Sequence, residues 1–250
     1  GGYAGPSTND TIQKTSFTSD GNATDVSNLT VAKNGSAGFS SKTYAFSSGG
    51  GTGFTNIIEK FSFAAEGNAT DVGDLTEGRE GHAEASDKVL DYGYSAGGEQ
   101  SYKSDRIDRF SFTVDGNATD VGNLTVAKSW KAGASSQTHG YFAGGQTATN
   151  IIERLAFAAT NNSVDVGDLG LNGGHGSGGV TSSTHGYYIR AKSSNPSGQD
   201  IQKYAFASSA NGSYVGDCPT DGQYKSGSSS TTYGYLMGGR SSPAATLTDA

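Results

Sequence analysis

The sequence predicts an all-β fold of repeated four-stranded blades, on three observations. The first is a phrase that recurs five times: Ile12, Ile58, Ile107, Ile152 and Ile201 each open a run of the type I-x-[KR]-x-x-F. The second is its spacing. Fourteen residues on stands Val26, Val72, Val121, Val166 or Val215, and three further on Leu29, Leu75, Leu124, Leu169 or, in the last copy, Cys218. The period is 45 to 49 residues. The third is a glycine pair closing an aromatic-rich segment: Gly49-Gly50, Gly97-Gly98, Gly144-Gly145 and Gly238-Gly239, with Arg190-Ala191 in the fourth copy. A period near 45 carried by short strands and glycine pairs is the pattern of a β-propeller blade.

One copy supplies all four strands. Ile57 to Phe63 alternates and is aromatic-rich, which reads as a strand. Glu66 to Asp71 is a turn, and Val72 to Leu75 enters the next strand. The stretch from His82 to Ser86 reads as a third strand, and Tyr92 to Gly98 as a fourth that ends on the glycine pair. A glycine pair there permits close backbone approach and positive φ. The turn Asn recurs as Asn22, Asn68, Asn117, Asn162 and Asn211, and is expected to bond its own backbone. Several of these begin N-x-[ST] sequons, but turn chemistry accounts for them in a chain so rich in Asn, Ser and Thr. Asp25, Asp71, Asp120 and Asp165 are expected to cap the same turn, because one Asp per blade does not converge on a Ca²⁺ ion.

The expectation is therefore a single domain, 1–250, forming a five-bladed β-propeller with four antiparallel strands per blade. The repeats run approximately 12–50, 58–98, 107–145, 152–191 and 201–239. The N-terminal strands over 12–29 and the C-terminal strands over roughly 226–239 are expected to pair, closing the ring and removing exposed edges. The half-copies at the ends and the missing initial Met suggest a segment of a longer chain.

Composition narrows the function classes. The net charge is −7 and no basic patch is visible, which argues against nucleic acid. No apolar stretch approaches the roughly 20 residues of a membrane span, and no signal-peptide pattern stands in these residues. Cys218 is alone and occupies a repeated Leu position, so it reads as a small buried hydrophobe. No H-E-x-x-H, C-x-x-C, P-loop or G-x-S-x-G pattern occurs. His139 and His185 stand where Tyr44, Tyr92 and Tyr233 stand in other copies, which makes them aromatic substitutes. No cofactor and no metal is expected.

The segment from Ile to the small residue nine after the Leu is constant in length, and length varies in two places: the hairpin before the glycine-pair strand and the loop after the glycine pair. The second of these lies on the same face of a four-stranded blade as the crossover after Leu29 and its equivalents, and variable loops on a fixed frame are where binding specificity sits. In the crossover the copies read Gly35-Ser36, Gly81-His82, Trp130-Lys131, His175-Gly176 and Tyr224-Lys225. Trp130, Lys131, His82, His175, Tyr224 and Lys225, with Tyr102 in a post-glycine loop, are the candidate ligand platform. Ordinary rim variation is the competing reading.

The aromatic strand ending in Gly-Gly, followed by an I-x-[KR]-F-[SA]-F strand, resembles the kelch repeat, without the kelch Trp of the outer strand. The phrases Asn56-Ile57-Ile58-Glu59, Gly67 to Thr76, and Gly116 to Val126 resemble repeats in virion structural and tail-fibre-like proteins of marine bacteriophages, notably those infecting cyanobacteria. That resemblance implies an extracellular particle component with a non-enzymatic adhesion role, whose partners are a host surface glycan or other virion proteins. A purely architectural, particle-decorating propeller is the first alternative. A kelch-type carbohydrate enzyme, galactose-oxidase-like or glycosidase-like, is the second.

Overall fold

The computed structural model describes residues 2–4, 7–16, 18–51, 53–147, 149–170, 174, 178–190, 199–219, 223–237, 240–241 and 245–246. Among these residues the fold is all β, with no helix. β1 (Gly2–Ala4) pairs with β2 (Ser7–Asn9), and β3 (Thr11–Lys14) with β4 (Thr24–Asn28). Four antiparallel four-stranded sheets follow, each a simple meander. The first holds β5 (Ala37–Ser40), β6 (Tyr44–Ser48), β7 (Ile57–Ser62) and β8 (Thr70–Asp74). The second holds β9 (Ala83–Asp87), β10 (Tyr92–Ala96), β11 (Arg106–Ser111) and β12 (Thr119–Asn123). The third holds β13 (Ala132–Ser135), β14 (His139–Ala143), β15 (Ile151–Ala156) and β16 (Val164–Asp168). The fourth holds β17 (Gly178–Thr181), β18 (His185–Ile189), β19 (Asp200–Ala205) and β20 (Ser213–Asp217). Two further pairs of short strands complete the described chain besides the N-terminal pairs: β21 (Ser226–Ser229) with β22 (Gly234–Met237), and β23 (Arg240–Ser241) with β24 (Ala245–Thr246).

The sheets are blade-like, as the repeat predicts. Their first strands β5, β9, β13, β17 and β21 succeed one another side by side and line a central cavity of about 1040 Å³. β3–β4 and β21–β22, expected to complete one blade together, each stand as a two-stranded sheet. The Gly238-Gly239 pair and Ala191 lie outside the described residues.

The core lies between sheets rather than within one. Ile107, Leu124 and Tyr94 of the second sheet pack on Phe142, Leu155 and Phe157 of the third. Ile58, Phe46 and Leu75 of the first pack on Phe110, Phe112 and Ala118 of the second. The first three of these sheets are thus buried on both faces, and consecutive residues of their third strands can both be interior. Ile58 and Glu59, Ile107 and Asp108, and Ile152 and Glu153 are all buried. A register shift follows the Ile in every copy, including Ile12 and Ile201.

The variable position of I-x-[KR] proves to be a junction. Asp108 accepts the backbone N–H of Thr76 at 3.0 Å and its hydroxyl at 2.6 Å, from the crossover of the preceding sheet. Glu59 receives Thr30 in the same way, and Glu153 receives Thr125. Each carboxylate also meets a buried cation: Lys33 at 3.2 Å from Glu59, Arg79 at 3.0 Å from Asp108, Lys131 at 2.6 Å from Glu153. In the fourth sheet the residue is neutral Gln202, whose oxygen accepts the Gly170 N–H at 2.6 Å. Carbonyl and carboxylate serve equally as acceptors; only the carboxylate then requires a cation.

The turn Asn departs from expectation. Asn68, Asn117, Asn162 and Asn211 bond the preceding sheet, not their own turn. Their side-chain oxygens accept the N–H of Asn28, Asp74, Asn123 and Asp168 at 2.9 to 3.1 Å. The next residue's N–H returns a bond to the same partner's carbonyl, at 2.7 to 2.9 Å. The turn abuts the last residue of the preceding outer strand, whose backbone groups have no further ladder to join. Asp71, Asp120 and Asp165 accept the N–H of Gly73, Gly122 and Gly167, so they cap the start of the outer strands β8, β12 and β16 rather than the Asn turn itself.

Asp108→Ala removes the nearer of the two carboxylates paired with buried Arg79, leaving Glu77 at 3.4 Å, and should lower unfolding stability by about 1–3 kcal/mol in a denaturant titration. Glu153→Gln combined with Lys131→Met copies the neutral junction at Gln202. It should recover most of what Glu153→Gln alone loses; a double variant as unstable as the single would contradict the clasp.

Candidate functional site

Six residues past the repeated Leu, the crossover backbone turns left-handed. Gly35 (φ 62°), Gly81 (φ 61°), Trp130 (φ 59°) and Tyr224 (φ 60°) share this conformation. Glycine adopts it freely, whereas a bulky side chain there costs about 1–2 kcal/mol. These positions also bond in series, the Gly81 N–H to the Gly35 carbonyl at 2.8 Å and the Trp130 N–H to the Gly81 carbonyl at 2.6 Å. Two copies therefore carry large aromatics at a position built for glycine.

Those aromatics meet. The Trp130 and Tyr224 rings lie 4.9 Å apart and 77° to each other. The indole also lies over the glycines: a Cβ on Gly81 would come within 2.6 Å of it, and one on Gly35 within 3.1 Å. Trp130 Nε1 donates to Glu99 at 2.9 Å, and the second Glu99 oxygen accepts the Ser129 hydroxyl at 3.0 Å. Glu99 and Glu80 exchange backbone hydrogen bonds, both of 2.9 Å. A Cβ on Gly35 would also lie 3.1 Å from Glu80 Oε2. Burial, with the Glu99 charge beside it, raises the Glu80 carboxyl above its usual range. Around this corner Lys103 donates to Gln146 at 3.1 Å, and Lys128 to Thr147 at 2.9 Å. Crossover and post-glycine loops thus share one face, as the sequence predicts.

The other candidates divide. Tyr102 is exposed on the same face, its hydroxyl donating to Glu77 at 2.8 Å. Lys131, His82 and Lys225 point inward and are buried. Lys131 belongs to the Glu153 junction. His82 bonds the Ser48 hydroxyl at 3.0 Å, and burial with the Arg79 and Lys33 charges holds its imidazole well below the usual range. These buried groups work in the frame because adjacent residues of the incoming chain alternate between rim and interior. His175 lies outside the described residues. His139 and His185 pack beside Tyr141 and Tyr187, matching the aromatic pair Tyr44–Phe46. Cys218 is buried, which pushes its thiol up and away from the thiolate form. Among the described residues no group of three His, Cys, Asp or Glu converges as metal ligands would.

Glu80, Glu99 and Glu84 went unread in the sequence. Alignment of the copies would have marked each. Glu80 stands directly before the left-handed position, and Glu99 directly after a glycine pair. Glu84 stands in an inner strand where the other copies carry Gly38, Gly133, Gly179 and Gly227. Those glycines let inner strands touch backbone to backbone; a Cβ on Gly179 would strike the Gly133 carbonyl. Glu84 instead extends into a cavity walled by Ser86, Ser135, Thr181 and Ser228. Its side chain meets cavity water but is hemmed in by protein, and this confinement pushes its carboxyl up to about 7.

No protein-family model matches this chain, and no curated protein matches it either.

Glu84 carries its proton more tightly in the folded protein than unfolded, so its contribution to stability is greatest at low pH. It declines as pH rises from about 4.5 through about 7. Glu84→Gln should raise the melting temperature at pH 8 and leave it unchanged at pH 4; equal shifts at both would show that the carboxyl does not titrate there.

Proposed function

We propose that this chain is a non-enzymatic virion structural and adhesion module of the phage tail-fibre-like kind that its repeats resemble. It contacts a host surface glycan or a partner protein through the crossover face. One observation carries the reading: Trp130 and Tyr224 occupy left-handed positions that glycine fills in other copies. Strained bulky residues persist where something other than packing benefits. Aromatics paired at the centre of a face are the usual anchors of recognition.

In this reading the module is a closed five-bladed ring, with β21–β22 as the first half of a blade and β3–β4 as the second. The exposure of β22 supports it. Tyr235 and Met237 are 51% and 52% exposed, whereas their equivalents Tyr94 and Ala96 are each 1% exposed. Tyr94 pairs with Arg109 and Ala96 with Ile107, and the same register sets Tyr235 against Lys14 and Met237 against Ile12. The same exposed edge gives the architectural alternative its support, since a neighbouring chain could cover it.

Fluorescently labelled protein should bind marine cyanobacterial cells, and Trp130→Gly/Tyr224→Gly should abolish the binding without loss of folding. A Lys88→Ala control at the far end of the cavity should bind like the parent. Binding by the double variant at parental level would sink the crossover-face reading. For closure, Ile12→Cys/Met237→Cys in a Cys218→Ala background should form a disulfide within one chain on mild oxidation. Dimers linked between chains would instead support completion by a neighbour.

A further inference from the structure

We propose that the cavity among the inner strands is a binding site for one neutral, hydroxyl-rich small molecule, a sugar or polyol, seated between β5 and β9 beside Glu84. The site lies apart from the crossover face, so it stands or falls independently of the adhesion reading. Three departures from the repeat meet there.

The first is an open joint. One hydroxyl per copy stitches an inner strand to the one before it. Ser86 N–H donates to Ser135 Oγ at 2.9 Å, Ser135 N–H to Thr181 Oγ1 at 3.4 Å, and Thr181 N–H to Ser229 Oγ at 2.9 Å. Ser40 and Ser86 hold the same positions in β5 and β9. Among the described residues no such bond joins them. The second departure is Glu84 itself. At Gly133, Gly179 and Gly227 the preceding inner strand leaves less room than a Cβ needs. Glu84 brings a full side chain to that position, which keeps β5 from closing on β9. Its carboxylate lines the cavity, and among the described residues it has no ion pair and no hydrogen bond to another residue. The third is the hairpin that follows. Five residues stand between Ser86 and Tyr92, where the other copies have three. The longer hairpin carries Lys88 and the exposed Val89 to the cavity wall.

The lining selects the ligand class. Ser135, Thr181 and Ser229 each spend one lone pair on a backbone N–H. That fixes the oxygen and leaves the hydroxyl proton and a second lone pair for a guest. Such groups both donate to hydroxyls and accept from them, and Glu84 adds a stronger acceptor. Glu84 and Lys88 are the charged residues of the described lining, and their charges cancel. A hard metal ion would find one carboxylate where it needs several oxygen ligands, with Lys88 opposing it. An anion would be opposed by Glu84. A neutral guest meets neither penalty. The cavity, at about 1040 Å³, has room for such a molecule.

Methyl glucoside, methyl mannoside, inositol and mannitol would each be titrated against the protein by saturation-transfer NMR, beside choline and glucuronate. At least one neutral compound should bind with a dissociation constant in the millimolar range, and choline and glucuronate at least about tenfold more weakly. Trp130→Gly/Tyr224→Gly should bind that compound like the parent, since the crossover face takes no part. Glu84→Gln keeps the shape and should weaken binding about tenfold, the difference between a charge-assisted and a neutral hydrogen bond. Glu84→Gly restores the residue of the other copies, lets the joint close and should abolish binding. Affinity should also fall from about pH 8 to about pH 6, as Glu84 takes up its proton. Lys88, with Lys42 and Asp91 of the adjoining hairpins, supplies the other charges at this end. Silence toward every neutral compound overturns the proposal, and so does choline or glucuronate binding as tightly. Parental affinity in Glu84→Gly, or its loss in Trp130→Gly/Tyr224→Gly, would place any binding outside the cavity and overturn it too.

Discussion

Everything in this fold depends on an acceptor buried in the third strand that holds the crossover of the preceding sheet. The backbone entering from a neighbouring sheet brings its N–H against a buried side chain of the third strand, where the bond is only partly open to solvent. The N–H after the repeated Leu therefore needs a protein acceptor. Glu59, Asp108, Glu153 and Gln202 provide it from one position of the repeat. Once that acceptor is a carboxylate, a cation must be buried with it, and Lys33, Arg79 and Lys131 follow. The charge is a consequence of the junction rather than its purpose. Gln202 makes the case: where the residue is an amide, its bond to Gly170 N–H persists without a carboxylate.

This arrangement separates stability from recognition. The junction draws Lys131 inward, the Ser48 hydroxyl holds His82 inward, and the residue before Lys131 is left at the rim. That rim residue has a left-handed backbone in Gly35, Gly81, Trp130 and Tyr224 alike, so the frame fixes where it points whatever its side chain. A copy can exchange glycine for an aromatic at a cost of about one or two kcal/mol without disturbing the clasp beneath. The position is thus free to vary in chemistry while fixed in geometry, which is what a binding surface on a repeated scaffold requires.

The strands were legible in the sequence because their signals are local. Ile57 to Phe63 alternates, Tyr92 to Ala96 ends at a glycine pair, and both become strands where expected. The shared face of crossover and post-glycine loops was legible too, because a meander of four strands leaves no other arrangement. Partners across sheets were not. Asn68 looks like turn chemistry in sequence, and its bond to Asn28 spans forty residues. Lys131 and Trp130 are neighbours in the chain and were read together; backbone direction alone separates a buried ion pair from an aromatic rim. Glu84 could have been noticed as the one acidic residue in a column of glycines, but its effect arises only once neighbouring inner strands wall a cavity beside it.

That column shows how a repeat accommodates an exception. Glycine lets neighbouring inner strands touch, as Gly179 touches Gly133 and Gly227 touches Gly179. At Gly133, Gly179 and Gly227 a Cβ would strike the backbone of the neighbouring inner strand, whereas the space beside Gly38 is open. Glu84 extends from the same column into the cavity, among serine and threonine walls and with no ion pair among the described residues. Desolvation there raises its titration point. The junction carboxylates, more deeply buried, each have a cation beside them. At the junctions a buried carboxylate and a buried cation come together, whereas the cavity surrounds Glu84 with hydroxyls.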